Sequence, residues 1–405
     1  MNLAEMDLRQ YCALNRARFY VDPVEDAGWL FGNAEVQADL VGRMRSDIDV
    51  RGVPKCGVVG RYGIGKTHAL NHVKWLLDQK DGEFPLRAFR FDIVWDESNG
   101  DLNSWRGIHG RMLDSMGELF LREIVRLFDA RSKSDKTELA EAIQGTFRFG
   151  DENLRLSLAT VLAEYFKRDV KNTGPAWQWL RGEKGVKLDQ LGVPKQLHEG
   201  GDMVNVILNL GALYKEASGL GIVFLMDEAQ YLADIRKAEG EVHRAFVKMA
   251  DQDNRDVGFV LAIMGSGVNL IPKVFTAPDD MLSRMGVTKN NLNEAFIDLQ
   301  KIMLSRQDIR DFMGQVLDHL VNKDEAAELI RAHALEDVSA DRLPYSERAL
   351  DRIAEVMYSN EFYRNPRMII DVMARCCSRA YRLGKESGKY QTVGAELVDE
   401  VVGSM

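Results

Sequence analysis

Gly60-Arg61-Tyr62-Gly63-Ile64-Gly65-Lys66-Thr67 follows the apolar run Cys56-Gly57-Val58-Val59 and precedes His68 to Leu77, which has helical spacing. Buried strand, glycine-rich turn and helix, in that order, are the frame that G-x-x-x-x-G-K-[ST] requires. Glycines let the backbone curl until successive N–H groups point at phosphate oxygens. Lys66 then reaches the β- and γ-phosphates, and the Thr67 hydroxyl can sit on Mg²⁺. Gly60, Gly63, Ile64, Gly65, Lys66, Thr67 and His68 are therefore the expected phosphate-binding residues.

A chain of 405 residues, 45% hydrophobic and 28% charged, can bury a large core and is expected to divide into two or three domains. No apolar run approaches the roughly 18 residues of a membrane span. The start, Met1-Asn2-Leu3-Ala4-Glu5, does not read as a signal peptide, so a cytoplasmic location without membrane partners is expected. Cys12, Cys56, Cys376 and Cys377 lack metal-ligand spacing and read as reduced core thiols. The net charge of -9 argues against wholesale coating of nucleic acid but leaves room for a local basic face.

In chain order, residues 1 to 50 read as helical, with an amphipathic helix beginning at Leu30, and form either a cap on the nucleotide site or plain packing. The loop strand and its helix come next, followed by a second strand over Arg87 to Trp95 that ends in the turn cluster Asp96 to Gly100. From about 101 to 215 the pattern changes to amphipathic helices, among them Met112 to Phe128, Lys136 to Gln144, Asn153 to Val170 and Val204 to Glu216. This is a helical insertion between strands of the sheet. Within it Trp177 and Trp179 read as core pegs rather than a base-stacking platform, since nearby basic residues are few.

Ile222-Val223-Phe224-Leu225-Met226 and then Asp227-Glu228 describe a central parallel strand that delivers carboxylates at its C-terminal edge. In this Walker B pattern Asp227 holds Mg²⁺ and Glu228 polarises a water for in-line attack on the γ-phosphate. Another buried strand, Val257 to Met264, ends in Gly265-Ser266-Gly267-Val268-Asn269, where Ser266, or else Asn269, is a candidate contact to the γ-phosphate or the lytic water, as well as a plain turn serine. A fifth strand is expected at Ala295 to Leu299. After it come four helices, opened by Ser305 with Asp308, by Ser346, by Asn365-Pro366, and near Val393. Asn322-Lys323-Asp324-Glu325 nearly matches the guanine-reading N-K-x-D, but it closes a helix in this reading and has Glu325 where the base-reading Asp belongs, so adenine is expected.

The order of these parts resembles the AAA+ ATPases, and within them the origin-recognition and Cdc6-like initiator group with its transposition-regulator and phage-defence relatives. Gly60 to Thr67, Asp227 and Glu228 carry that resemblance. Ser283-Arg284 is similar to the initiator pattern in which an arginine before the last strand reaches a neighbouring subunit's γ-phosphate, and Arg367, or Arg364, is similar to the lid arginine called sensor two. The insertion, with Trp177 to Glu183 and Leu191-Gly192-Val193, resembles ATPases of BREX-type defence operons. Two features depart from the initiators: only a short stretch follows Tyr381 where they carry a winged helix, and Gly32-Asn33 stands where they have a Gly-Arg pair near the adenine.

The resemblance implies an α/β parallel-sheet AAA+ core over 51–300 with a helical insertion at about 101–215, an N-terminal helical segment over 1–50 and a helical lid over 301–405. It implies a Mg²⁺-dependent ATPase that assembles as a homo-oligomeric ring or filament and acts on a nucleic-acid, chiefly DNA, or protein complex, with phage defence as a setting and proteins of the same operon or pathway as partners. The competing expectation is an ATP-dependent signalling or scaffold protein with little turnover that recruits partners through the insertion, Trp177 and Trp179 serving as anchors if exposed.

Overall fold

The computed structural model describes residues 3, 5–32, 34–79, 84–94, 104–132, 139–167, 172–234, 239–265, 279–287, 291–303 and 305–405. Its contacts divide the chain into two compact groups, 38–60 with 69–298, and 1–37 with 61–68 and 299–405.

The first group is built on a five-stranded sheet of β1 (Lys55–Gly60), β2 (Leu86–Asp92), β3 (Gly221–Asp227), β4 (Val257–Met264) and β5 (Phe296–Asp298). The strands run in the order β2-β3-β4-β1-β5, and every neighbouring pair is parallel. β1 and β3 are buried along their whole length, which is why both read as unbroken apolar runs. β2 lies at an edge and alternates, with Arg87 and Asp92 exposed. It is shorter than the sequence suggests, ending at Asp92, and the turn cluster 96–100 lies outside the described residues.

The long insertion is the crossover that joins β2 to its parallel neighbour β3. Its helices are Trp105–Ser132, broken at Gly117, then Leu139–Thr146, Glu152–Tyr165, Gly174–Leu180, Leu188–Leu191 and Gly200–Ser218. The last of these is buried nearly all round, and its Asn209 earns its interior place by accepting from the N–H groups of Arg148 and Phe149 and donating to the Phe149 carbonyl, each near 3 Å. Trp179 is fully buried and donates its indole N–H to the Lys195 carbonyl at 2.9 Å, while Trp177 packs at the margin of the same core. The peg reading therefore holds, and Trp179 is no exposed anchor. A helix that sequence periodicity had not separated, Glu239–Ala250, connects β3 to β4. The buried Lys55 donates to the carbonyls of Ala250, Asp251 and Asn254 at 3.1, 2.7 and 3.0 Å, a cation placed at and just past the carboxyl end of a helix, where the helix dipole favours it. Burial pushes its ammonium down to about 8.

The second group holds five C-terminal helices rather than four: Arg306–Leu320, Lys323–His333, Glu347–Ser359, Pro366–Ser387 and Ala395–Gly403. Ser305 with Asp308 forms the expected capping box, and Ser346 and Asn365 cap their helices as read. Asn322 requires a correction. It opens the helix Lys323–His333 instead of closing one, because its side-chain oxygen accepts from the N–H groups of Asp324 and Glu325, both at 3.2 Å. The N-terminal stretch packs into this group: Asn15 donates to the Leu320 carbonyl and Asn322 to the Ala13 carbonyl, both at 2.7 Å, and Tyr11 stacks on Tyr390 with ring centroids 4.3 Å apart. All four cysteines are buried and free. Among the described residues no helix is long and apolar enough to cross a membrane.

Candidate nucleotide site

Residues 61–68 sit beside the start of the helix Pro366–Ser387. Gly63 (φ +79°) and Gly65 (φ +104°) take backbone conformations that L side chains rarely adopt, which lets main-chain N–H groups turn inward. At Gly63 the space is closed as well, since an added Cβ would meet Asn365 Oδ1 at 2.8 Å and Arg367 Cβ at 3.3 Å. A Cβ added at Gly65 would meet nothing within 4 Å beyond its chain neighbours. Lys66 is 7% exposed and donates to the Arg61 carbonyl at 3.1 Å, so its ammonium folds back over the loop. Ile64 is buried.

Arg367 meets the loop in three ways. Its N–H donates to the Gly63 carbonyl at 3.3 Å, its guanidinium lies 5.1 Å from the Tyr62 ring centroid, and Nη1 donates to the Tyr62 hydroxyl. Arg61 pairs with Glu361 at 2.5 Å, but both are exposed and the pair adds at most about 1 kcal/mol. Arg364, the other lid candidate, lies over the Tyr358 ring at 4.5 Å. At the far end of the loop the His68 imidazole bonds the Trp29 carbonyl and packs 5.7 Å from Phe31, and burial pushes its pKa down.

The second collection of predicted residues lies at the carboxyl edge of the sheet. Gly60, Asp227 and Met264 end β1, β3 and β4. Asp227 is 2% exposed. Its Oδ2 accepts from Arg90 at 3.0 Å and its Oδ1 from the Glu228 N–H at 2.9 Å. Arg90 also donates to Asp92 at 2.9 Å, so one guanidinium of β2 holds a carboxylate on each of two paired strands. Glu228 follows with φ +57°, a left-handed conformation that non-glycine residues adopt uncommonly. Gln230 donates to Glu228 Oε2 and accepts from the Met264 N–H at 2.9 Å.

Arg284 is not brought to that edge. It ends the helix Asp279–Arg284 and pairs with Asp251, whose carbonyl accepts from Lys55 at the opposite, amino end of β1. Burial pushes the Asp251 carboxyl up, but the N–H of Asp253 and the Arg284 guanidinium more than offset this and hold it below the usual range. Ser266 and Asn269 lie outside the described residues. Sequence reading missed Arg90 and Gln230. The signal for Arg90 was a basic residue two positions before the end of a strand that pairs with the Asp-Glu strand; Gln230 had none beyond closeness to Glu228.

No protein-family model matches this chain, and neither does any curated protein. Among solved structures it is similar to the Orc1 protein of Aeropyrum pernix, solved in complex with DNA, at 10% identity and a TM-score of 0.42, over 98% of this chain and 69% of that one. It is also similar to Cdc6p of Pyrobaculum aerophilum at 12% identity and a TM-score of 0.43, over 92% of this chain and 66% of that one. The chain thus spans about two thirds of the length of each.

Proposed function

We propose that this chain is an ATPase of the AAA+ kind, in which residues 60–68 bind the phosphates of ATP and Asp227 and Glu228 drive hydrolysis. One observation carries it: a phosphate loop with two glycines at positive φ follows β1 of a parallel sheet whose β3 ends in a buried, arginine-held Asp and a Glu of constrained backbone.

Thr67 and Asp227 suit Mg²⁺, being a hydroxyl at the start of a helix and a buried carboxylate already fixed in orientation; the ion would offset phosphate charge when bound. Lys66 neutralises the β- and γ-phosphates. Glu228 takes the proton of the attacking water, and Ser266 contacts the γ-phosphate or that water. Arg367 supplies a lid charge to the same phosphates, for which its guanidinium exchanges Tyr62 for a phosphate oxygen. Arg284 acts on the ATP of a neighbouring copy, releasing Asp251, so that copies assemble in a ring or filament. Adenine is preferred over guanine, consistent with Asn322 being spent on a helix cap. Residues 51–300 act as the core and 301–405 as the lid, with 1–50 as an N-terminal helical segment. The client is DNA or a protein complex on it, with phage defence as a setting.

Steady-state ATP turnover, measured with and without duplex DNA, tests this directly. Turnover that rises with DNA is expected. Negligible turnover combined with ATP-dependent assembly would replace the proposal by the scaffold alternative, and electron micrographs with an ATP analogue that contain only monomers would sink the role of Arg284 in trans.

A further inference from the structure

The carboxylate of Glu228 does not stand alone. Gln230, in the short turn of helix Ala229–Asp234, donates its amide N–H to Glu228 Oε2 and accepts the Met264 N–H on its amide oxygen at 2.9 Å. The next residue, Gly265, donates its N–H to the Gly60 carbonyl at 3.1 Å. Two hydrogen bonds therefore link the carboxylate through one side-chain amide to the end of β4, and the adjoining Met264–Gly265 peptide leads to a third, onto Gly60, the last residue of β1.

The chemistry of position 230 is restrictive. A carboxylate needs a donor and a main-chain N–H needs an acceptor, and a primary amide offers both on one rigid plane, whereas a carboxylate offers only acceptors and an ammonium only donors. The two neighbours demand the same orientation of that amide, so its oxygen and nitrogen are assigned without ambiguity. The backbone at Glu228 is constrained too, by its positive φ, by its N–H bond to Asp227 Oδ1 at 2.9 Å, and by its carbonyl accepting from the Tyr231 N–H at 3.1 Å. The backbone of Glu228 and one oxygen of its carboxylate are therefore tied, and Gln230 ties the part that would react.

We infer that Gln230 is a positioning residue for the hydrolytic step, aiming the Glu228 carboxylate and coupling it to the end of β4. This rests on the proposed ATP hydrolysis. It extends that proposal by giving the end of β4 a way to act on Glu228 through Met264: a shift of β4 relative to β1 moves the carboxylate, even without any side chain of β4 touching ATP.

Two variants separate the two halves of the amide. Gln230→Met keeps the length and removes both bonds. Gln230→Glu keeps an acceptor for Met264 and loses the donor to Glu228. Each is expected to lower kcat about 10- to 100-fold, the usual range for a group that orients a reacting one, with the Kd for ATP unchanged within about twofold. Placed on a Glu228→Gln background, Gln230→Met is expected to add nothing, since its effect passes through the carboxylate. Hydrogen exchange at the Met264 amide is expected to quicken in Gln230→Met and stay slow in Gln230→Glu. Parental kcat in Gln230→Glu, an equal loss in ATP affinity, a further tenfold loss on the Glu228→Gln background, or unchanged Met264 exchange in Gln230→Met would each overturn the inference. If the parental protein hydrolyses ATP, Glu228→Gln does not, and the Gln230 variants turn over normally, only the inference falls. If the parental protein shows no turnover, or Glu228→Gln matches it, the proposed hydrolysis falls and takes the inference with it.

Discussion

In the proposed ATP hydrolysis, residues 61–68 and residues 227–230 would serve by opposite means. In the proposed role of the loop the working parts are main-chain N–H groups, beside two glycines at positive φ, together with the side chains of Lys66 and Thr67. At the end of β3 the working parts are side-chain carboxylates, and the backbone matters only because it presents them. Asp227 is held by Arg90, and Glu228 by Gln230. A backbone device tolerates few residue types and so leaves a spelled motif, whereas a side-chain device can be assembled from residues of any strand that happens to lie alongside.

This contrast can be broken at its strongest point first. Glu228→Gln keeps the shape of the β3 end and removes only the base, so turnover should fall about 10²- to 10⁴-fold while ATP still binds, as separate kcat and Kd measurements would show. Equal loss of binding would mean that the β3 end shares the role given to the loop. Next, Lys66→Ala should weaken ATP binding about 100-fold by calorimetric titration, the loss of one charge-assisted contact to phosphate.

Gly63→Ala sharpens the backbone half. The new Cβ meets Asn365 Oδ1 at 2.8 Å in a conformation strained for L residues, so stability should drop by about 1–2 kcal/mol in urea unfolding, whereas Gly65→Ala has room and should suffer only the φ strain. Equal losses would show that the loop is limited by φ alone.

The smallest effect lies outside both regions and sets their baseline. His109 is fully buried in the β2–β3 crossover and bonds the Leu180 carbonyl at 2.7 Å; burial holds its imidazole down at about 4, against 6.5 when unfolded. The unfolded chain therefore binds the extra proton first, so this contribution is whole above about 6.5 and is lost as pH falls toward about 4. About 1 kcal/mol of stability should disappear between about pH 7 and about pH 5.5, and His109→Gln should flatten that part of the urea-midpoint profile.

Much of the fold was legible. The unbroken apolar runs of β1, β3 and β4 announced central parallel strands, and Ser305, Ser346 and Asn365 announced helix starts, because both signals are local. The string Asn322-Lys323-Asp324-Glu325 was rightly refused as a base reader from its own spelling, but its place was misread: the hydrogen bonds from Asp324 and Glu325 N–H make Asn322 the start of a helix and not the end of one. The helix Glu239–Ala250 went unseparated, and residues 1–50 could be read equally as cap or packing, since what an amphipathic stretch packs against is not written in its own period.

By itself the sequence determined that a G-x-x-x-x-G-K-T loop follows the first strand and that two carboxylates end another, because these depend on residue type at fixed spacing along one short stretch. Only the tertiary structure decided that β2 lies beside β3, so that Arg90 reaches Asp227; that β4 lies between β3 and β1, so that Gln230 can tie Glu228 to Met264; and that Arg284 pairs with Asp251 by the amino end of β1. The physical reason is distance along the chain. Arg90 and Asp227 are 137 residues apart in sequence and 3.0 Å apart in space, and no local preference of either residue encodes that meeting.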